Sequence, residues 1–101
     1  MQKVDVLEKR KVVYLEGGIV MEKKLSEFKI YESGVVKFVQ GEGRVRRRLF
    51  DMGITPGASV ILRKKAPLGD PLEITLRGYE LTLRKGEADL ILCNMDEKEE
   101  K

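Results

Sequence analysis

The sequence predicts a mainly β fold, a small five-stranded barrel with one short α-helix and a 3₁₀ turn, and three observations lead to it. First, Leu72, Ile74 and Leu76 alternate with Glu73, Thr75 and Arg77, and Tyr79, Leu81 and Leu83 alternate with Glu80, Thr82 and Arg84, which is the period of half-buried strands. The phase shifts once, at Gly78. A two-residue turn at Arg77-Gly78 sets Leu76 opposite Tyr79, Ile74 opposite Leu81 and Leu72 opposite Leu83, with all six on one face; a three-residue turn with Gly78 left-handed at a bulge is the alternative. Second, Val45, Leu49 and Met52 fall in one helical stripe while Arg44, Arg46 and Arg47 lie off it, so the sequence predicts one basic helix with a buried face. Third, the chain has 101 residues, of which 42% are apolar. That is material for one core, and short strands joined by tight turns dispose of their edges by curling into a barrel.

In chain order, residues 1–22 form an N-terminal extension. Val4, Val6 and Val12-Val13-Tyr14-Leu15 suit strands, and Gly17-Gly18 can return the chain through Ile19-Val20, either as a hairpin or as a loose arm. Glu16-Gly17-Gly18 must also be encoded by purine-rich triplets resembling a ribosome-binding site just upstream of Met21, so Met21 is the expected natural start. The barrel is expected over residues 23–95. Leu25 to Phe28 reads as a short helical turn, Tyr31 to Gly34 as a turn and Val35 to Val39 as a strand. The helix ends at Gly53, where a left-handed C′ glycine lets Ile54 touch Leu49 in a Schellman closure. Thr55-Pro56-Gly57 then turns the chain into the strand that opens with Ala58 to Leu62. Ala66-Pro67-Leu68-Gly69-Asp70-Pro71 makes a stiff loop, Gly86 to Asp89 one helical or 3₁₀ turn, and Leu90 to Cys93 the closing strand. Residues 96–101 form a charged tail.

The composition excludes several functions. Charged residues make up 37% of the chain, with a net charge of +3. The chain has no histidine, and so lacks the commonest general base and transition-metal ligand; this argues against an enzyme. Cys93 is the single cysteine, which excludes an intramolecular disulfide and a cysteine zinc cage and suits a reducing cytoplasm. No apolar run reaches the length of a membrane-spanning helix.

The segments Arg46-Arg47-Arg48-Leu49-Phe50-Asp51-Met52-Gly53-Ile54-Thr55-Pro56-Gly57, Ala66-Pro67-Leu68-Gly69-Asp70-Pro71-Leu72-Glu73-Ile74 and Arg77-Gly78-Tyr79-Glu80-Leu81-Thr82-Leu83-Arg84, in this order and spacing, closely resemble the FeoA family, ferrous iron transport protein A. The resemblance implies an SH3-like barrel and a non-catalytic cytoplasmic accessory of iron uptake. It also implies a partner, the FeoB-type membrane GTPase that imports Fe(II), with membrane association only through that partner and no nucleic acid expected. Related domains form the third domain of iron-dependent repressors, which gives the alternative of a metal-sensing domain; a nucleic-acid-binding barrel ranks behind it. In those repressors an acidic residue before the helix can reach metal. That position falls on Glu42 here, while the accompanying glutamine falls on Val45. No cofactor is required, and Glu42 is the candidate contact for a weakly held Fe2+.

The partner-binding candidates are Arg46, Arg47, Phe50 and Leu68. The arginines suit carboxylate or phosphate, or else form a solvated helix face. Phe50 lies off the Val45/Leu49/Met52 stripe and is either core or an exposed anchor. Leu68 is presented between proline-stiffened flanks, as a recognition element or as part of a plain connector. Asp70, Glu73 and Glu42 are the carboxylates available to a hard cation. Cys93 is expected to be buried and inert.

Overall fold

The computed structural model describes residues 2–5, 10–15 and 18–95, with side chains from residue 21 onward. Among the described residues, eight strands make one antiparallel sheet: β1 (Gln2–Asp5), β2 (Arg10–Leu15), β3 (Gly18–Lys24), β4 (Ser33–Val39), β5 (Ser59–Lys65), β6 (Leu72–Leu76), β7 (Tyr79–Leu83) and β8 (Ile91–Met95). Their order across the sheet is β1-β2-β3-β8-β4-β5-β6-β7. All five expected barrel strands, β4 to β8, are present. The N-terminal strand β3 pairs antiparallel with β2, with Leu15 opposite Gly18. It joins the rest of the sheet through Glu22, Lys23 and Lys24, opposite Asn94, Cys93 and Leu92 of β8.

The β6–β7 register is the one the alternation demands, with Leu72 opposite Leu83, Ile74 opposite Leu81 and Leu76 opposite Tyr79. Arg77 and Gly78 have φ of +49° and +88°, so the two-residue turn is the one adopted. Leu72, Ile74, Leu76 and Leu83 are fully buried, but Tyr79 is 46% exposed. β7 ends the sheet order, so its first residue has a neighbouring strand on one side alone.

Each barrel strand contributes one face to a single core: Val36 and Val39 from β4, Val60 and Leu62 from β5, Leu72, Ile74 and Leu76 from β6, Leu83 from β7, and Ile91 and Cys93 from β8. The sheet must curl for all five faces to meet in one cluster. Leu25 and Phe28, from the 3₁₀ turn Leu25–Glu27, formed where a short helical turn is expected, and its C-cap, close one gap. Leu49 and Ile54 at the end of helix α1 (Gly43–Asp51) close another, and Ala88 of the four-residue helix α2 (Lys85–Ala88) completes the cluster.

α1 ends as the sequence predicts. Gly53, at φ +97°, donates to the Phe50 carbonyl at 2.9 Å, and Ile54 donates to the Leu49 carbonyl at 3.0 Å, the two bonds of a Schellman closure. The expected stripe is only partly buried. Leu49 is fully enclosed, whereas Val45 is 44% exposed. The helix packs by its last turn, where Leu49, Phe50, Met52 and Ile54 meet the core, and Val45 lies a turn too early to reach it.

Candidate functional site

A solvent-open depression of about 500 Å³ lies at the start of α1, lined by Gly41, Glu42, Gly43, Arg46, Arg47 and Phe50. Its backbone comes from the β4–α1 link, where Gly41 and Gly43 have φ of +94° and +64°. Side chains rarely adopt that region, and the two glycines bend the chain sharply into the helix. Four of the five residues singled out from sequence, Glu42, Arg46, Arg47 and Phe50, thus meet in one place.

Phe50 is half-buried and packed against the core, and it also lines the depression. The Arg46 guanidinium lies 4.6 Å from the centre of that ring, in cation–π range, and its Nε donates to the Val39 carbonyl at 3.1 Å. Arg48 is directed elsewhere, into an ion pair with Glu87 of α2. Among the described residues, Arg44 and Arg47 are exposed and no carboxylate pairs with them.

The charge placement opposes the helix's own polarity. A helix N-terminus carries roughly half a positive charge, and the first turn of α1 contains no acidic residue to balance it. Glu42 is the N-cap but makes no side-chain capping bond. Three arginines within the first five helical residues add to this potential, at some cost to stability. The result is a cationic hollow with one aromatic wall, suited to an acidic side chain or a phosphate and an adjoining apolar group.

Glu42 is exposed on the rim. As a metal ligand it stands alone, because Val45 supplies no donor and no group of three or more His, Cys, Asp or Glu forms a metal site among the described residues. This donor set does not fit a resident metal. Asp70 is engaged by the Lys85 amide at 3.0 Å and by Arg84. Leu68 is not part of the depression wall. It sits in the 3₁₀ turn Pro67–Gly69, left-handed at φ +73° and 97% exposed. Cys93 is fully buried, and burial pushes its thiol up to about 12, so it is not a nucleophile. No helix among the described residues is long and apolar enough to cross a membrane.

The FeoA domain model matches residues 23–95. The chain belongs to the FeoA family. A FeoA-like protein from Clostridium acetobutylicum is 39% identical, with a TM-score of 0.71 over 79% of this chain and 93% of that one. A FeoA of Stenotrophomonas maltophilia described as a procaryotic SH3 domain protein, solved with zinc, is 32% identical, with a TM-score of 0.61 over 68% of this chain and 86% of that one. The FeoA chain therefore has the SH3-like architecture expected of it. A manganese-dependent transcriptional repressor shares this fold at 12% identity, with a TM-score of 0.69 over 74% of this chain and 42% of that one. A Porphyromonas gingivalis protein described as a fusion of Fe(2+) transport protein A with the Fe(2+) transporter FeoB is 32% identical over 65 residues, 64% of this chain. The FeoA chain spans 8% of the fusion's length.

Proposed function

We propose that this chain is a non-catalytic, cytoplasmic accessory of ferrous iron uptake that binds the GTPase part of an FeoB-type transporter, with Fe(II) as the transporter's cargo. The observation that carries this reading is the fusion relative, in which a segment 32% identical to this chain is covalently part of an FeoB-containing polypeptide. Fusion keeps two modules at high effective concentration, as suits partners that otherwise meet by diffusion.

The α1 depression is the proposed contact. Its unpaired Arg47 suits a carboxylate or phosphate on the partner, and the Phe50 wall beneath Arg46 suits an adjoining apolar side chain. The test is a pull-down of purified transporter GTPase domain by this protein in the nucleotide-free, GDP and GTP-analogue states. Arg47→Glu, which breaks no contact described above, is expected to weaken capture at least about tenfold, the typical cost of truncating an interface hot spot. Absence of capture in all three nucleotide states would overturn the reading. Capture unaffected by Arg47→Glu would move the contact off α1.

A further inference from the structure

A second surface lies away from α1, on the turn that leads into β4. Tyr31 is held left-handed at φ +70°, a conformation that glycine or asparagine adopts cheaply and an aromatic residue does not. The turn cannot relax out of it. The Tyr31 amide donates to the Leu62 carbonyl at 2.6 Å, the Leu62 amide donates to the Glu32 carbonyl at 3.0 Å, and Glu32 Oε1 accepts from the Lys29 amide and from Lys23 Nζ, each at 2.8 Å. This strain gains nothing in the core, since Tyr31 is 68% exposed and Ile30 beside it 45% exposed. Strained, outward-facing residues of this kind concentrate at functional surfaces.

Two cations flank these apolar tips. Arg63, the residue left without a partner where the β5–β6 register shifts, places its guanidinium 5.4 Å from the centre of the Tyr31 ring, and the Lys29 side chain is exposed on the same turn. Among the described residues neither has a carboxylate partner. Of the two neighbouring acids, Glu32 is held by Lys23, and Glu27, two residues before Lys29, is half-buried in the 3₁₀ turn. Lys64 is left out of the patch because it lies opposite Glu73 in the sheet.

We propose that Lys29, Ile30, Tyr31 and Arg63 form a contact for an anionic lipid bilayer. Tyrosine settles with its amphipathic ring at the headgroup level, an aliphatic neighbour adds insertion, and flanking cations meet lipid phosphates. Four side chains at a turn are too few for a stable protein interface, whereas two cations and two apolar tips suffice for weak, salt-sensitive attachment to an anionic bilayer, at about 1 kcal/mol per cation. This departs from the sequence-based expectation that the chain meets a membrane only through its partner, and it stands independently of the α1 contact.

The test is co-flotation of the full chain with phosphatidylcholine vesicles, with and without phosphatidylglycerol, at low and physiological ionic strength. Binding is expected to the phosphatidylglycerol vesicles alone and to weaken with salt. Arg63→Glu changes the local charge by two units and is expected to lower partitioning by about thirtyfold, at roughly fivefold per charge. Tyr31→Asn is expected to reduce partitioning several-fold while leaving the melting temperature unchanged or raised, because asparagine tolerates the left-handed turn. Equal binding of Tyr31→Asn and the parent chain, or no binding to either vesicle, overturns the proposal. Binding to polyglutamate in place of vesicles also overturns it and assigns the patch to an acidic protein.

Discussion

The Tyr79 hydroxyl donates a hydrogen bond to the Met52 carbonyl at 2.9 Å, so the first residue of the terminal strand β7 is tied to the last turn of α1. A phenol removed from the packed face by its place at the sheet edge thus serves the helix terminus, where carbonyls lack intrahelical donors. Tyr79→Phe is expected to lower unfolding free energy by about 0.5–1 kcal/mol, toward the lower end for a bond open to solvent. Urea unfolding at neutral pH measures this, and an unchanged midpoint would show that water replaces the hydroxyl at no cost.

Gly53 and Gly57 separate the two reasons for a glycine. Both are left-handed, at φ +97° and +96°. A Cβ on Gly53 would lie 2.9 Å from the Tyr79 hydroxyl oxygen and 3.2 Å from Leu76 Cδ2, whereas one on Gly57 would meet nothing within 4 Å. Gly57→Ala should therefore cost the backbone term alone, about 1 kcal/mol, and Gly53→Ala about 2–3 kcal/mol once the Tyr79 bond is also displaced. In a Tyr79→Phe background the Gly53→Ala cost should fall, a coupling that a double-mutant cycle resolves.

Leu49 and Val45 occupy one helical stripe but not one environment. Leu49→Ala is expected to cost about 2–5 kcal/mol, as for other enclosed leucines. Val45→Ala should stay within about 0.5 kcal/mol of the parent, because its side chain is 44% exposed and alanine is the better helix former. Comparable losses for the two would restore the fully buried stripe that the sequence predicts.

Cys93 gives the fold a pH-dependent term with a definite sign. Burial raises its thiol from 9.0 to about 12, so the unfolded chain ionises first. The stabilisation is complete below pH 9 and is lost as pH rises through 12. The stability difference between the parent chain and Cys93→Ala should accordingly shrink across that window, and Ellman's reagent at pH 8 should label the native chain no faster than it unfolds. Rapid labelling of folded protein would show that the thiol is accessible.

The β6–β7 hairpin was legible because two signals agree on it, the alternation and the lone Gly78 at its phase shift. The α1 terminus was legible because Gly53, Ile54 and Pro56 each perform one step of the stop. The helical wheel misplaced Val45 since angular position carries no information about how far along its axis a helix stays in contact. At the site, Glu42, Arg46, Arg47 and Phe50 stood out singly, but their convergence depends on the bend at Gly41 and Gly43. Arg44 stayed unmarked despite its similar exposure, and Leu68 proved separate from the depression. A turn was legible at Tyr31 to Gly34, but the left-handed backbone at Tyr31 was not, since neither glycine nor asparagine stands there; tertiary bonds to Leu62 impose it.

Arg46 and Arg47, adjacent in sequence, differ in how they are held. Arg46 is already immobilised between the Val39 carbonyl and the Phe50 ring, so the rotamer entropy of fixing it is spent during folding. Arg47 keeps its freedom until something binds. At the proposed contact a partner would meet one held charge and one unheld charge, and the kinetics would divide between them: the unheld guanidinium would act on salt-sensitive encounter, and the held one on how long the complex lasts.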